Sequence, residues 1–380
     1  MGNKKVVSWM VAGIALLVAP WLTLHERHAD VPAAAADQKP APAASKPFAA
    51  TSEPTPRARL IAAQDQLRGT GRDLCSLAAE SSASGAGADD PATIAATQRS
   101  PSFIAFQAGV HHIDNALRTS PDPYANAVAI WLNIPLDEQA EGAVPDTERR
   151  RQLAALANAT TDPRIYALAF RTCRGSSEDG CHALSARRWA EIDAGNAMPW
   201  AFLLEEAAAR GDVSGQEEAM FHMAAARRLA DRELTQVQPV IGSSDGSAGD
   251  LMAAEGLSTM AIGIAAAWPW PKALFRHCNA AAVVEANRAQ LCAKFADVMF
   301  DHSDSFFGRL SGASLTKRLT GDASRGATVN AELTLWNAAW ARTKEVTCDT
   351  VKGQLILLTQ VANGGPQAAL QALPGASAAR

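Results

Sequence analysis

Hydrophobic residues are distributed along the chain in two different ways. Residues 6–24 read VVSWMVAGIALLVAPWLTL, nineteen consecutive positions without a charge. As a helix at ~1.5 Å per residue this run spans roughly 28 Å, close to the hydrocarbon thickness of a bilayer. From residue 57 onward the apolar positions instead recur every three or four residues, and runs of period two are missing, which predicts an all-α fold. Phe103, Phe106, Val110, Ile113 and Leu117 show the pattern well, placing five apolar side chains on one face of a helix predicted over 101–117. Gly, Ser, Asp and Pro interrupt the periodic stretches at 81–90, 135–146 and 242–250, which are predicted loops. Toward the C-terminus the same periodicity predicts helices over 250–267, 280–301, 306–319, 328–342 and 350–363, followed by a flexible tail over 364–380.

The N-terminal run carries an address. Lys4 and Lys5 precede it, so residues 1–5 are expected on the cytoplasmic side and everything beyond Leu24 across the membrane. Trp9 and Trp21 sit near its two ends, where interfacial anchors belong. The competing reading is a secretory signal cleaved at the small residues 33–36. The polar stretch HERHADVP separates those alanines from the hydrophobic run, and the run exceeds the usual ~7–15-residue core of a signal peptide. A single-pass anchor in a bacterial inner membrane is the favoured expectation, and both readings put the bulk of the chain in the periplasm. Residues 25–56 include KPAPAASKP and SEPTP and have no period; they are expected to be a disordered spacer too poor in apolar surface to offset its ordering entropy.

One stretch repeats. Tyr166 and Trp200 lie 34 residues apart, each closely preceded by a proline, Pro163 and Pro199, and each near the start of a predicted helix: DPRIYALAFRTC and MPWAFLLEEAAARGD. Between them, ARRWAEIDAGNAMPW reads as a helix end, a polar turn and the next helix start. On these residues segment 162–229 resembles the tetratricopeptide repeat. Leu203 falls where that repeat has its leucine, Gly211 and Asp212 fall on its inter-helix turn, and Ala219, Met223 and Ala226 follow its second-helix packing pattern. Residues 213–215 are extra and are expected to lengthen the turn, and the proline expected near Ala194 is missing. The resemblance implies a helical-hairpin array; because two repeats cannot bury their own faces, flanking helices must complete the core. The layout as a whole resembles that of a bacterial envelope protein. Whether residues 57–363 form one helical domain or two joined near 236–250 is open at this level.

Six cysteines, Cys75, Cys173, Cys181, Cys278, Cys292 and Cys348, make an even set in a segment expected to be periplasmic, where disulfides persist. Cys173 ends one predicted helix and Cys181 begins the next across RGSSEDG, an easy bridge. Cys278 with Cys292 would tie a loop to the middle of the following helix, which leaves Cys75 and Cys348 by elimination. No Cys pair has zinc-finger spacing and there is no C-x-x-C, so metal and redox readings lack their motifs. A net charge of −4, from 35 basic and 39 acidic side chains, gives no basic surface for nucleic acid.

Candidate chemistry is sparse. GSSDG at 242–246 satisfies G-x-S-x-G, but that motif needs a strand before it and a helix after it, and here it lies in a Gly/Ser-rich loop of a helical protein. His111, His112, Asp114 and Asn115 cluster on the helix predicted over 101–117 and form the alternative reading, a hydrolase or metal-dependent centre. Glu205, Glu206, Glu217 and Glu218 are either a groove or the wet side of helices. Trp131, Trp189, Trp200, Trp268, Trp270, Trp336 and Trp340 are either core or an aromatic patch for a peptide. No catalytic, metal or cofactor residue is assigned. The expected function is a non-enzymatic module that binds a protein or peptide of the envelope.

Overall fold

The computed structural model describes residues 73, 75–76, 100–133, 146–230, 235–266, 272–279, 286–341 and 347–372. The expected anchor (6–24), the spacer (25–56), the loop at 81–90, most of the loop at 135–146 and the Trp268 and Trp270 segment lie outside the described residues. The described residues are 81% helical, with no strand among them, as the spacing predicts. No helix among them is long and apolar enough to cross a membrane.

The chain divides into two compact units, residues 1–105 and 106–380. In the first, Asp73 Oδ1 accepts the backbone N–H of Ser76 at 2.9 Å while Ser76 Oγ accepts that of Asp73 at 3.2 Å, a reciprocal cap beside buried Cys75.

In the second unit the stripe residues Val110, Ile113 and Leu117 of α1 (Pro101–Thr119) are buried, and Phe106 is half-buried. Asp-Pro pairs start two helices: Asp122 caps α2 (Pro123–Leu132) and Asp162 caps α4 (Pro163–Cys173), each accepting a backbone N–H two residues on, with proline at the first helical position where its missing N–H costs nothing. Between them lies α3 (Asp146–Asn158), so the predicted loop ends one residue into a helix. The short α5 (Asp179–His182) holds Cys181, which is disulfide-bonded to Cys173 at the end of α4. Next come α6 (Ala186–Ile192), α7 (Ala197–Arg210) and α8 (Val213–Ala225). Gly211, at φ 68°, closes α7 and Asp212 caps α8. Residues 213–215, expected to lengthen that turn, instead form the first turn of α8.

Beyond α9 (Val237–Gly242) and α10 (Ala248–Ala266) the chain forms α11 (Lys272–His277), α12 (Ala286–His302), α13 (Phe306–Thr320), α14 (Ser324–Ala341) and α15 (Cys348–Ala372). The loop predicted over 242–250 shrinks to residues 243–247. The tail boundary at residue 364 also moves: α15 continues to Ala372 past a break at Gly365 (φ 75°) and Pro366, and Ala369 and Leu370 are buried. Of the remaining cysteines, Cys278 and Cys292 are bonded to each other as expected, and Cys75 and Cys348 are each oxidised.

Asn196, fully buried, organises the middle of the second unit. Its Nδ2 donates to Asp193 Oδ2 and to the Ala230 carbonyl, both at 3.0 Å, and its Oδ1 accepts from Met198 N at 3.1 Å and Ala230 N at 2.9 Å. Ala197 N donates to Arg228 O at 2.9 Å, and Arg227 N and Arg228 N both donate to Gly195 O. The strap continues into a third segment, since Leu229 N donates to His302 O at 2.9 Å and Asp304 N to Leu229 O at 3.2 Å. The start of α7, the end of α8 and the end of α12 are thereby tied into one knot. Arg228 pairs there with the buried carboxylate of Asp193.

Small residues let the neighbouring helices close. A Cβ on Gly312 of α13 would lie 2.7 Å from Phe300 N and 2.8 Å from Ala296 O, backbone atoms of α12. Beside it, Arg309 is 1% exposed, donates Nε to Phe300 O at 3.0 Å and pairs with Glu332 of α14. Two substitutions probe these contacts. Asn196→Ala strands the buried N–H groups of Met198 and Ala230 and the Ala230 carbonyl, and is expected to cost about 3 kcal/mol or more in urea unfolding. Gly312→Ala is expected to cost about 1–3 kcal/mol as overpacking. Urea midpoints within error of wild type for both would contradict this account of the packing.

Candidate functional site

The repeat-like segment forms a helical hairpin whose inner face is packed and whose outer face is wet. Inside, Phe170, Trp189 and Phe202 form an aromatic cluster with ring centroids 5.3–5.9 Å apart. Tyr166, near the start of α4, bonds the backbone of Ser185 in both directions, accepting from its N at 3.1 Å and donating to its O at 3.3 Å. Trp200 is stacked on His222 at 3.8 Å with the Arg187 guanidinium 5.1 Å from its ring centre. On the proposed second-helix positions, Ala219 and Met223 are buried and Ala226 is half-buried, while Leu203 is half-buried beside fully buried Leu204.

The outer face answers the question about the glutamates. Glu205 pairs with Arg174, and Glu218 with Arg187 at 2.7 Å, a bond that holds the Glu218 carboxyl below the ordinary carboxylate range. Two of the four acids are thus neutralised locally instead of lining an acidic groove. Beside exposed Ser214, Glu217 and Glu218, α8 exposes two large apolar side chains, Val213 and Phe221, each 60% exposed, eight residues apart and therefore within ~80° of each other around the helix. Neither stands out in the sequence, because single exposed apolar residues lack a pattern. The tryptophans do not form a surface patch among the described residues: Trp131, Trp189 and Trp200 are buried, and Trp336 packs against Leu357, Val361 and Ala369.

The residues of the alternative centre separate. His111 and Asn115 are exposed, while Asp114 is buried and accepts from Arg118 Nε at 2.7 Å. His112 alone meets distant groups: its Nδ1 lies 2.6 Å from Asp250 Oδ2, and Asp245 completes a set whose ligand atoms lie within 4.8 Å of one another. The G-x-S-x-G loop and the histidine cluster are therefore neighbours in space. What brings them together is a close helix crossing, since a Cβ on Gly109 of α1 would overlap the carbonyl of Gly249 at the start of α10. Hydrogen bonds account for the arrangement. Asp250, 4% exposed at its side chain, receives His112 and also the Asp245 N–H at 2.8 Å, while Asp245 Oδ1 accepts from Ser247 N at 2.7 Å. The Ser247 bonds hold the Asp245 carboxyl below its ordinary value. A helix precedes the loop where a hydrolase elbow needs a strand, so Ser244 is not strained into a nucleophile; its Oγ accepts from Gly246 N.

The chain matches no protein-family model, no curated protein and no solved structure. The described residues are all-α and disulfide-stapled, and their prominent polar clusters pin elements together.

Two outcomes are expected. His112→Ala removes one of two partners from a buried carboxylate and should cost about 1–2 kcal/mol, with faster proteolysis at 243–247; unchanged stability and cleavage would contradict the pinning role. Asp212, capping α8, accepts from Gly215 N at 2.9 Å and Ser214 Oγ at 3.0 Å, which hold its carboxyl below the usual value. A depressed carboxylate contributes stability that is complete above its unfolded pKa and fades as pH falls through its folded one. Asp212→Asn should therefore reduce the loss of stability on acidification, measured as unfolding midpoint against pH, and a parallel profile would contradict it.

Proposed function

We propose that this chain is a non-enzymatic, membrane-anchored periplasmic module that engages a protein or peptide partner of the bacterial envelope through its α7–α8 hairpin. The supporting observation is the pair Val213 and Phe221, 60% exposed on one side of α8. Their helix is held by caps at Gly211 and Asp212, by the Arg187 to Glu218 ion pair and by the knot at Asn196. An apolar anchor on a surface already ordered costs little entropy to use, which is the condition for an efficient contact. Tetratricopeptide-like hairpins present such surfaces to segments of other proteins, although the fold by itself does not establish a partner.

The compartment reading draws on two independent features. The uncharged run at 6–24 behind Lys4 and Lys5 has the length and polarity of an anchor. The disulfides Cys173–Cys181 and Cys278–Cys292 require oxidising surroundings to persist.

A photo-crosslinking amino acid placed at Phe221 of the full-length chain in intact cells tests the reading, with exposed Lys317 of α13 as the control position. The expected result is a discrete adduct with an envelope protein from position 221 and none from 317. The absence of an adduct at 221, or identical adducts at both positions, would overturn it.

A further inference from the structure

Val213, Glu217 and Phe221 follow one another along α8 at four-residue steps, and all three are exposed, so they form a single ridge on the helix. Each step rises ~6 Å and turns ~40°, which sets Glu217 midway between the two apolar side chains. The acids around it have commitments that Glu217 lacks. Glu218 pairs with Arg187, Glu205 pairs with Arg174, and Asp212 caps α8 and lies 3.8 Å from Arg210. The Glu217 carboxylate forms no ion pair or side-chain hydrogen bond among the described residues.

Whatever covers Val213 and Phe221 also strips water from the carboxylate between them. An apolar partner leaves that desolvation unmet, whereas a cation offsets it. A second copy of this chain makes a poor occupant, because a two-fold pairing centred on the ridge would set Glu217 against the same residue of the other copy. The ridge therefore favours a partner that brings a Lys or Arg flanked by apolar side chains. Backbone hydrogen bonding decides the conformation of that partner. The middle of α8 has no free N–H or C=O to offer, so an extended segment laid on it would lose water from its peptide groups without gaining a ladder. A helix arrives with its own peptide groups satisfied, and its four-residue ridges repeat at the same ~6 Å as those of α8.

We infer that the ridge of Val213, Glu217 and Phe221 receives an amphipathic helix of another protein, in which a Lys or Arg stands one helical turn from an apolar residue on either side. The inference rests on the docking reading above and names the chemistry of the partner. Val213 and Phe221 supply the apolar contact, and their cover shields the charge pair from solvent. Glu217 sets the choice of partner, since a segment with an acid at the central position meets like charge there.

The test is fluorescence anisotropy of the full-length oxidised chain with a labelled synthetic peptide of about 17 residues, long enough to be helical, that carries Leu, Lys and Leu at successive four-residue steps in an Ala/Gln background. Protein-free detergent micelles serve as the blank. Saturable binding of this peptide is expected, with a version carrying Glu in place of the Lys about tenfold weaker and a version carrying Ala in place of both Leu residues weaker still. Glu217→Lys should reverse the preference between the Lys and Glu peptides, and Phe221→Ala should weaken both; each side chain is exposed, so unchanged urea midpoints are expected for both variants. No saturable binding of the Lys peptide up to about 1 mM, the weak end of specific association, would overturn the inference. Equal binding of the Lys and Glu peptides, or a preference that Glu217→Lys leaves unreversed, would also overturn it. Crosslinking from position 221 in cells separates this inference from the reading beneath it. A discrete envelope adduct that is lost in the Glu217→Lys chain is expected. An adduct undiminished by Glu217→Lys would overturn the charge assignment and leave the docking reading standing, an adduct with a second copy of the chain would overturn the assigned partner, and no adduct in either chain would remove both.

Discussion

The second unit depends on a single buried amide. Asn196 uses both of its donors and both acceptor positions, to Asp193, Met198 and twice to Ala230. No other side chain offers two donors and two acceptors at that reach: Asp would lose the donors, and an apolar residue would leave the Ala230 peptide unpaired away from water. Because the same strand-like segment 227–230 then bonds to His302 and Asp304, three helix ends far apart in sequence are fixed by one local geometry. The outward face of α8 inherits its position from it.

An alanine-rich, aromatic-poor chain needs such devices. Alanine and glycine allow helices to approach closely, as at Gly312 against α12 and Gly109 against Gly249, but small side chains interlock weakly and specify register poorly. Polar pins supply what shape does not. Arg309 reaches from α13 to the backbone of α12 and to Glu332 on α14, and Asp250 gathers His112 and the 243–247 loop. Two short-range disulfides add restraint where the helices are shortest, at α5 and α11.

The sequence makes the helices legible because their signals are local. The apolar period locates α1, α10 and α12 to α15 to within a few residues at most described ends, and the Cys173–Cys181 and Cys278–Cys292 bridges follow from helix ends and spacing. What escapes is non-local. His112 and Asp250 are 138 residues apart, so nothing in either segment announces their bond, and each looks inert alone. Asn196 reads only as part of a polar turn, DAGN, since its partners lie at the far end of the next hairpin. Boundaries err where glycines are helical despite their composition, at Gly249 and Gly364.

The most direct test of the Asn196 knot is native-state hydrogen exchange on the full-length oxidised chain. The account predicts that the amides of Met198, Leu229 and Ala230 exchange only through the same large opening as the interiors of α7 and α8, with a common dependence on denaturant. Exchange of Ala230 and Leu229 at the rate of an open loop, while the two helices stay protected, would contradict it.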